Sequence, residues 1–222
     1  MNAFAPSATE LLNLYEGMLK AYGPQRWWPA ESAFEVAVGA VLTQNTSWKN
    51  VERAIANLRT ADVLTLPAIS RIPPAELILL IRPAGYYNLK AKRLMALCDF
   101  LRDAGGLEGL KRQSLQVARS GLLSVWGIGP ETADDILLYA LDRPVFVIDT
   151  YTRRLLARQG LARGNEDYEV LRQGFERALP ADVDLFKQFH ALIVEHAKAA
   201  CRKAPICDAC CLMGGCAQAL TR

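Results

Sequence analysis

Residues 125–150 read VWGIGPETADDILLYALDRPVFVIDT, and this stretch decides the fold. It begins with a glycine turn, Gly127-Ile128-Gly129, between an apolar segment and a helix that opens with Pro130. Proline suits the first turn of a helix, where its missing N–H costs nothing. Glycine tolerates positive φ and lets another backbone approach closely. The stretch therefore predicts a helix, a tight hairpin and a second helix.

The glycine turn and the two acidic residues that follow it can each be explained by structure or by function. The outward amide N–H groups of such a turn at a helix N-terminus favour an anion, but a plain helix–helix turn explains the same glycines. Glu131 lies in the first helical turn, where a carboxylate interacts favourably with the helix dipole. Asp149 follows Glu131 by 18 positions, after the apolar run VFVI and before the helical segment TYTRRLLARQ. Helix capping explains Asp149, and a capping aspartate is also held in place and ionised.

Helical periodicity dominates the rest of the 222-residue chain, and turn residues separate the apolar segments. The run PVFVIDT at 144–150 resembles a strand, but it is too short and solitary to build a sheet. The pattern therefore predicts an all-α fold of about ten short helices. No apolar run approaches the roughly 18 residues that cross a bilayer, and the N-terminus lacks the basic region of a signal peptide. We expect a cytoplasmic protein with no membrane contact.

The charge is mildly basic, with 26 Lys and Arg against 23 Asp and Glu and a formal net charge of +3. Such a balance permits a polyanionic partner without requiring one. Basic residues cluster in LKAKR at 89–93, in TRRLLAR at 152–158 and at Arg202–Lys203. A solvated helix face explains each cluster alone, so charge does not identify the partner.

Five of the six cysteines lie between positions 201 and 216. Four of them form the pattern C-x5-C-x2-C-x5-C: Cys201, Cys207, Cys210 and Cys216. Cysteines at this density in a cytosolic chain indicate a metal more often than disulfides. Four thiolates satisfy either tetrahedral zinc or a [4Fe–4S] cluster. Cys211 is interpreted as a spare thiol, and Cys98, within LMALCDFL, as a buried core thiol.

Taken together, these features resemble the endonuclease III superfamily of helix-hairpin-helix DNA glycosylases over nearly the whole chain. LLSVWGIGPETA is similar to the hairpin of that family, and Asp149 falls at its catalytic aspartate. The C-terminal cysteines resemble its [4Fe–4S] loop, with one residue fewer between the first two ligands than in endonuclease III itself. The resemblance implies an iron–sulfur cluster rather than zinc, damaged double-stranded DNA as the partner, and a monomer associated with the nucleoid.

The resemblance also implies a discontinuous architecture. A six-helix barrel lobe with the helix-hairpin-helix would occupy residues 26–142. Residues 1–25 and 143–222 would form a second lobe, which holds the [4Fe–4S] loop at 201–216. DNA would lie in a cleft between the two lobes.

Glu131 separates two mechanisms within this superfamily. In its bifunctional members a lysine just after the hairpin attacks the sugar and forms a Schiff base. A carboxylate cannot form an imine, so Glu131 favours a monofunctional glycosylase in which Asp149 stabilises the cationic sugar and assists water. Two alternatives remain: a bifunctional glycosylase and AP lyase for oxidised pyrimidines, and a catalytically weak protein that binds damaged DNA.

Two further segments resemble those that open the duplex. VLTQNTSWKNVERA resembles the segment whose glutamine fills the gap left by an extruded nucleotide, and that residue would be Gln44. RPAGYYNLKAKR resembles the loop that wedges the opposite strand, which indicates Tyr86, with Asn88 in the same motif. An extruded base leaves a hole in the stack that a side chain has to occupy.

The segment RWWPA points to a subgroup, the endonuclease III-related proteins that include 3-methyladenine DNA glycosylase III. The resemblance implies a base pocket lined by Trp27, Trp28, Pro29 and Trp48. Electron-rich rings attract a cationic alkylated purine. The alternative for Trp27 and Trp28 is a place in the core between the lobes.

Overall fold

Twelve α-helical segments form within residues 4–219, the part of the chain that the computed structural model describes. This range contains no strand, which confirms the predicted all-α class, and it holds more helical segments than the ten or so expected. The segments are α1 (Ala8–Tyr22), α2 (Ala33–Thr43), α3 (Trp48–Thr60), α4 (Leu66–Ile69), α5 (Pro74–Leu80), α6 (Tyr87–Asp103), α7 (Gly106–Lys111), α8 (Leu115–Ser124), α9 (Pro130–Asp135), α10 (Thr150–Gln159), α11 (Tyr168–Ala178) and α12 (Val183–Ala199).

The described residues divide into two compact units. One combines residues 4–27 with 144–219, and the other comprises Trp28–Arg143. Single turns of 3₁₀-helix occur at Arg82–Ala84, Cys207–Ala209 and Met213–Gly215. Among residues 4–219, no helix combines the length and the apolar character that crossing a membrane would require.

In the discontinuous unit, α1 packs against α12. Ser7 starts α1 with a capping box: its hydroxyl accepts from the Glu10 amide at 3.2 Å, and the Glu10 carboxylate accepts from the Ser7 amide at 2.8 Å. These reciprocal bonds satisfy two of the amide groups that a helix start leaves without intrahelical partners. The buried face of α1 carries Leu11, Leu14 and Met18 at helical spacing.

The strand-like run ahead of α10 has no regular secondary structure and is fully buried, with Val145 to Ile148 at most 1% exposed. Side chains replace the missing sheet partner. The Phe146 amide donates to the Glu176 carboxylate at 3.0 Å, and the Ile148 amide donates to the Tyr168 hydroxyl at 3.3 Å. Buried amides need such acceptors, so the run can lie inside an all-helical unit.

Phe146 anchors this run to the helices around it. Its ring stacks on Phe175 of α11 with centroids 3.9 Å apart, and it meets Phe186 and Phe189 of α12 edge to face. Such aromatic contacts add specific geometry to a large buried apolar area. They fix the path of the chain immediately before Asp149.

In the continuous unit, α2 is the buried central helix. Every residue from Glu35 to Leu42 is buried, and α2 packs against α3, α6 and α9. A helix that is apolar on all sides belongs in a core. The one acidic side chain in this buried stretch, Glu35, accepts two 2.9 Å bonds from the Arg59 guanidinium.

The predicted hairpin lies between α8 and α9. Gly127 has φ +83°, in the left-handed region that favours glycine, and the Ile128 amide closes the turn on the Val125 carbonyl at 3.1 Å. Gly129 has an ordinary extended backbone (φ −93°), so it does not need the positive φ that the sequence allowed for. A Cβ at Gly129 would meet no other atom within 4 Å, and the turn is therefore open at that position.

A buried ion pair joins the two helices of the hairpin. Arg119 of α8 donates to both carboxylate oxygens of Asp134 of α9, at 2.7 and 3.0 Å. The Asp134 side chain is fully buried and the Arg119 side chain is 14% exposed. A bidentate guanidinium–carboxylate pair restricts geometry as well as supplying energy, so this contact sets the angle at which α9 leaves the turn.

Beyond α9 the chain continues as one turn of π-helix over Ile136–Ala140. The Leu141 amide returns to the Ile136 carbonyl at 3.2 Å, five residues back. A π turn shifts the register of the side chains that follow, and such turns occur often at functional sites. Here the turn carries Tyr139.

Candidate functional site

The hairpin and the segment after α2 form one hydrogen-bonded network. Gln44 ends α2, and its side-chain amide donates to the Gly127 carbonyl at 3.1 Å and to the Thr132 hydroxyl at 2.9 Å. The Arg93 guanidinium donates to the side-chain oxygen of Gln44. The structure therefore brings the predicted gap-filling residue against the predicted hairpin, and Arg93 of α6 completes the arrangement.

Tyr86 is exposed on a strained backbone at the start of α6. It is 68% exposed and left-handed, with φ +46° and ψ +31°. This conformation is unusual for a bulky residue, and such strain concentrates at functional sites. Asn45, directly after Gln44, is also left-handed. Asn88 is exposed in the first turn of α6, and both segments predicted to open the duplex thus leave regular backbone geometry.

A buried lysine holds these two segments in place. The Lys90 ammonium donates to the Leu42 carbonyl and to the Ala84 carbonyl, each at 2.8 Å, and its side chain is 1% exposed. Burial, with the charge of Arg93, lowers the pKa of Lys90 to about 8. One carbonyl lies just before Gln44 and the other just before the loop of Tyr86, so Lys90 ties the end of α2 to that loop.

Asp149 caps α10 from a nearly buried position, with 9% of the residue exposed. Its Oδ1 accepts from the Thr152 amide at 2.6 Å and from the Thr152 hydroxyl at 2.8 Å. Its Oδ2 faces His190 Nε2 of α12 at 3.6 Å. Burial opposes ionisation, but His190 and the Thr152 bonds outweigh it and lower the pKa of Asp149 below its usual range. Asp149 is therefore a buried carboxylate that stays ionised.

Three of the four predicted pocket residues meet in one place. Trp28, Pro29 and Trp48 line a cavity of about 200 Å³ in the continuous unit. The Trp28 and Trp48 rings meet edge to face, with centroids 5.2 Å apart. Tyr139, delivered by the π turn, lies 5.5 Å from the Trp28 ring. Trp27 is outside this cavity: it belongs to the other unit, where the Lys198 ammonium lies 5.2 Å above its ring.

A carboxylate borders the same cavity. Glu52 lines it and accepts a 2.9 Å bond from the Trp48 indole N–H. This bond restricts the rotation of the Trp48 ring and places negative charge beside the aromatic rings. Glu35, which is buried, and its ion-pair partner Arg59, which is exposed, also line this cavity. The cavity thus combines aromatic rings with the Glu52 carboxylate and the Glu35–Arg59 ion pair.

The four cysteines of the C-terminal pattern line one small cavity: Cys201, Cys207, Cys210 and Cys216. Cys211 is exposed and does not line it. Within residues 4–219, no three His, Cys, Asp or Glu side chains converge closely enough to hold a single ion. The four thiols therefore line a cavity without meeting at one point. Cys98 lies elsewhere, in the core, and burial raises the pKa of its thiol to about 12.

Helix α10 organises the loop that carries these cysteines. Arg158 donates to Cys201 Sγ at 3.2 Å and to the carbonyls of Arg202 and Lys203 at 2.6 and 3.1 Å. Arg154 donates to the Cys201 carbonyl at 2.8 Å. Part of the basic cluster at 152–158 therefore has a structural role within the chain.

Sequence reasoning missed four residues of these sites: Lys90, Arg93, Tyr139 and His190. Lys90 and Arg93 belong to the noted basic cluster at 89–93, where a solvated face was the simplest explanation. Lys90 is instead buried. His190 is one of two histidines in the chain, 41 positions after Asp149, and no spacing rule connects the two residues.

Comparison with known proteins agrees with this geometry. The family described as HhH-GPD superfamily base excision DNA repair protein matches residues 38–181. A protein of Methanocaldococcus jannaschii, provisionally named a DNA repair glycosylase, is 49% identical over 203 residues and is matched over 90% of this chain and 92% of its own length.

Two solved structures share the fold. The H. pylori 3-methyladenine DNA glycosylase MagIII, bound to 1,N6-ethenoadenine, is 34% identical with a TM-score of 0.75, over 87% of this chain and 98% of that one. A non-covalent endonuclease III–DNA complex is 21% identical with a TM-score of 0.81, over 98% of both chains, and shows the same fold. The resemblance inferred from the residues is confirmed: the chain belongs to the HhH-GPD superfamily of base excision DNA repair proteins and is a DNA glycosylase of that family.

Proposed function

We propose that this glycosylase removes alkylated purines from duplex DNA by a monofunctional mechanism, in which water replaces the base. The observation that supports the mechanism is a contrast between two carboxylates. Glu131 occupies the first turn after the hairpin, where the resemblance places the lysine of the bifunctional members. Asp149 is ionised although buried, and its Oδ2 is not used by the bonds from Thr152.

The reaction follows from these groups. The C1′–N bond breaks with its electron pair going to the purine, which alkylation has made cationic and which departs neutral. The negative charge of Asp149 stabilises the oxocarbenium-like sugar that remains. A water oxygen then bonds to C1′ and gives its proton to Asp149 Oδ2, which acts as general base. The product is an intact strand with an abasic site, because Glu131 has no amine with which to form an imine.

The cavity at Trp28 and Trp48 supports the substrate class. Two indole rings and the Glu52 carboxylate line this space, and the Arg59 charge that also borders it is paired with Glu35, so a flat cationic ring would stack on the indoles. Cation–π attraction is strongest for tryptophan, which favours an alkylated purine over its neutral parent. The similarity to MagIII, a 3-methyladenine glycosylase bound to an ethenoadenine, supports the same class.

Binding to the duplex would use the hairpin and the two segments that leave regular geometry. The bond to be cut lies inside the stacked duplex, so the nucleotide has to be extruded and the gap filled. Gln44 and Tyr86 are the side chains that we assign to this task, with Asn88 beside them. The open face of Gly129 lets a phosphate approach the amides of the turn.

We further propose that the protein carries a [4Fe–4S] cluster. The donor set fits, because four thiols line one cavity and the fifth nearby thiol does not. Cys201, Cys207, Cys210 and Cys216 would hold the cluster. When bound, it would cross-link a loop that otherwise has two single 3₁₀ turns and little regular structure.

Asp149→Asn should abolish base release and keep affinity for lesion-containing duplex within a few-fold. Asparagine retains the oxygen that caps α10 but cannot stabilise the cationic sugar. The measurement is a panel of duplexes with one defined lesion each, resolved on denaturing gels before and after alkali. Wild-type protein should excise 3-methyladenine-type lesions and leave sites that break only in alkali, and borohydride should trap little covalent complex.

Three results of this panel would contradict the proposal. Strand cleavage without alkali, together with efficient borohydride trapping, would show lyase chemistry by a lysine. Near-wild-type turnover by Asp149→Asn would show that Asp149 is only a helix cap. Tight binding with no base release from any lesion would identify a damage-binding protein instead of an enzyme.

Substitutions at Gly127 and Gly129 distinguish an effect on stability from an effect on DNA affinity. Gly127→Ala should lower the free energy of unfolding by at least about 1–2 kcal/mol, since alanine is strained at φ +83° and its Cβ would collide with the Arg93 side chain. Gly129→Val should lower the melting temperature less than Gly127→Ala, because a Cβ at Gly129 meets no neighbour within 4 Å and the cost is that of a poorer N-cap residue, and it should weaken binding to all duplexes alike. Unchanged DNA affinity in Gly129→Val would exclude the open face of the turn as a phosphate contact.

Trp28→Ala and Trp48→Ala should each slow base removal roughly ten-fold or more, given stacking worth about 1–3 kcal/mol per base. Trp27→Ala is the control, because Trp27 lies outside the cavity. Affinity for an abasic-site analogue, which has no base to stack, should change much less in single-turnover and binding assays. An equal loss for ligands with and without a base would show that these tryptophans only support the core.

Purified protein should be yellow-brown, with broad visible absorption and bound iron and sulfide. Cys207→Ser should lose the colour and lower thermal stability, since an incomplete thiolate site loses the folding free energy of its metal. Cys211→Ser should keep both, because Cys211 does not line the cavity. Colourless wild-type protein with stoichiometric zinc would overturn the assignment.

A further inference from the structure

His190 is a buried titratable residue that the proposed reaction does not yet use. It lies on α12, is 5% exposed, and its Nε2 is 3.6 Å from Asp149 Oδ2. α12 packs directly against α10, the helix that Asp149 caps. The two oxygens of this carboxylate therefore contact different helices. Thr152 of α10 donates hydrogen bonds to Oδ1, and His190 of α12 lies near Oδ2.

This division matters because the two oxygens have different tasks. Two short bonds, at 2.6 and 2.8 Å, fix Oδ1 as the helix cap. Oδ2 is the oxygen that would meet the sugar and the attacking water. A buried carboxylate without compensation at that oxygen would take up a proton, and a neutral acid would neither stabilise a cation nor accept a proton.

We propose that His190 is a positioning residue for base removal: its Nε2, 3.6 Å from Asp149 Oδ2 in this structure, would close on that oxygen as a hydrogen-bond donor during the reaction and hold the carboxylate in place. The inference rests on the proposed function, because it assigns His190 a part in the same reaction. An imidazole N–H suits this role, because a hydrogen bond to Oδ2 stabilises the carboxylate form of Asp149. His190 itself transfers no proton.

The test compares two abasic-site analogues that differ in charge. A duplex with a cationic pyrrolidine in place of the sugar resembles the charged intermediate, and a duplex with neutral tetrahydrofuran does not. Wild-type protein should bind the pyrrolidine duplex more tightly, and Asp149→Asn should lose this preference. The ratio of the two dissociation constants therefore reports the charge on Asp149 and is insensitive to general damage to the DNA-binding surface.

His190→Phe keeps a ring in the site and removes the N–H donor. The preference for the pyrrolidine duplex should fall roughly ten-fold or more, as expected when a charge–charge attraction over a few ångströms is lost. Affinity for the tetrahydrofuran duplex should stay near that of wild type. His190→Gln, which still carries an N–H donor, should retain most of the preference, and base-removal kcat should follow the same order with KM little changed.

The outcomes separate this inference from the proposed function. If Asp149→Asn loses the preference and His190→Phe keeps it, the inference is wrong and the proposed function stands. Equal losses in His190→Phe and His190→Gln would also overturn the inference, because the side chain would then only pack. If wild-type protein shows no preference, the role of Asp149 itself is wrong, and that of His190 with it. Should His190→Phe melt at a lower temperature, His190→Leu removes the same donor with a smaller side chain.

Discussion

A carboxylate buried at the start of α10 is the constraint around which the discontinuous unit is arranged. Removing a charge from water is costly unless hydrogen bonds and an oriented partner replace the solvent. Here the helix supplies two bonds from Thr152, and α12 supplies His190. The strand-like run ahead of Asp149, held by its aromatic stack, delivers the carboxylate to that point. Burial and ionisation together give a strong local field, which would stabilise the cationic transition state of the proposed reaction.

In the continuous unit, buried contacts fix the backbone on either side of two candidate DNA-contacting side chains, Gln44 and Tyr86. Lys90 is buried to join the backbone before Gln44 to the backbone before Tyr86, and Arg93 joins Gln44 to the hairpin. Burying the Lys90 ammonium costs solvation free energy, and its hydrogen bonds to the two carbonyls offset part of that cost. The strain at Tyr86 is consistent with this arrangement, because strained backbone persists only where its surroundings determine it.

The features that depend on neighbouring residues could be predicted from the sequence. The contacts between residues far apart in the chain could not. The hairpin, the cap at Asp149 and the cysteine pattern each depend on residues within one turn or one loop, and the structure contains all three. The Asp149–His190 contact joins residues 41 positions apart, and Tyr139 reaches Trp28 only because a π turn follows α9. Neither periodicity nor spacing encodes such contacts, since they arise when helices pack.

Helix α10 connects the two chemically distinctive parts of the discontinuous unit. Its first residue follows Asp149. Arg154, about one turn further along, binds the Cys201 carbonyl, and Arg158, about two turns along, binds the Cys201 thiol. At its far end the Arg158 carbonyl accepts from the Gln218 amide. A cluster held by this loop would therefore also hold the C-terminal half of α10, and with it the direction from which the helix meets Asp149. If the four cysteines hold the proposed cluster, the bonds from Arg154 and Arg158 connect that cluster to the helix that Asp149 caps, and this structural role requires no redox change in the proposed reaction.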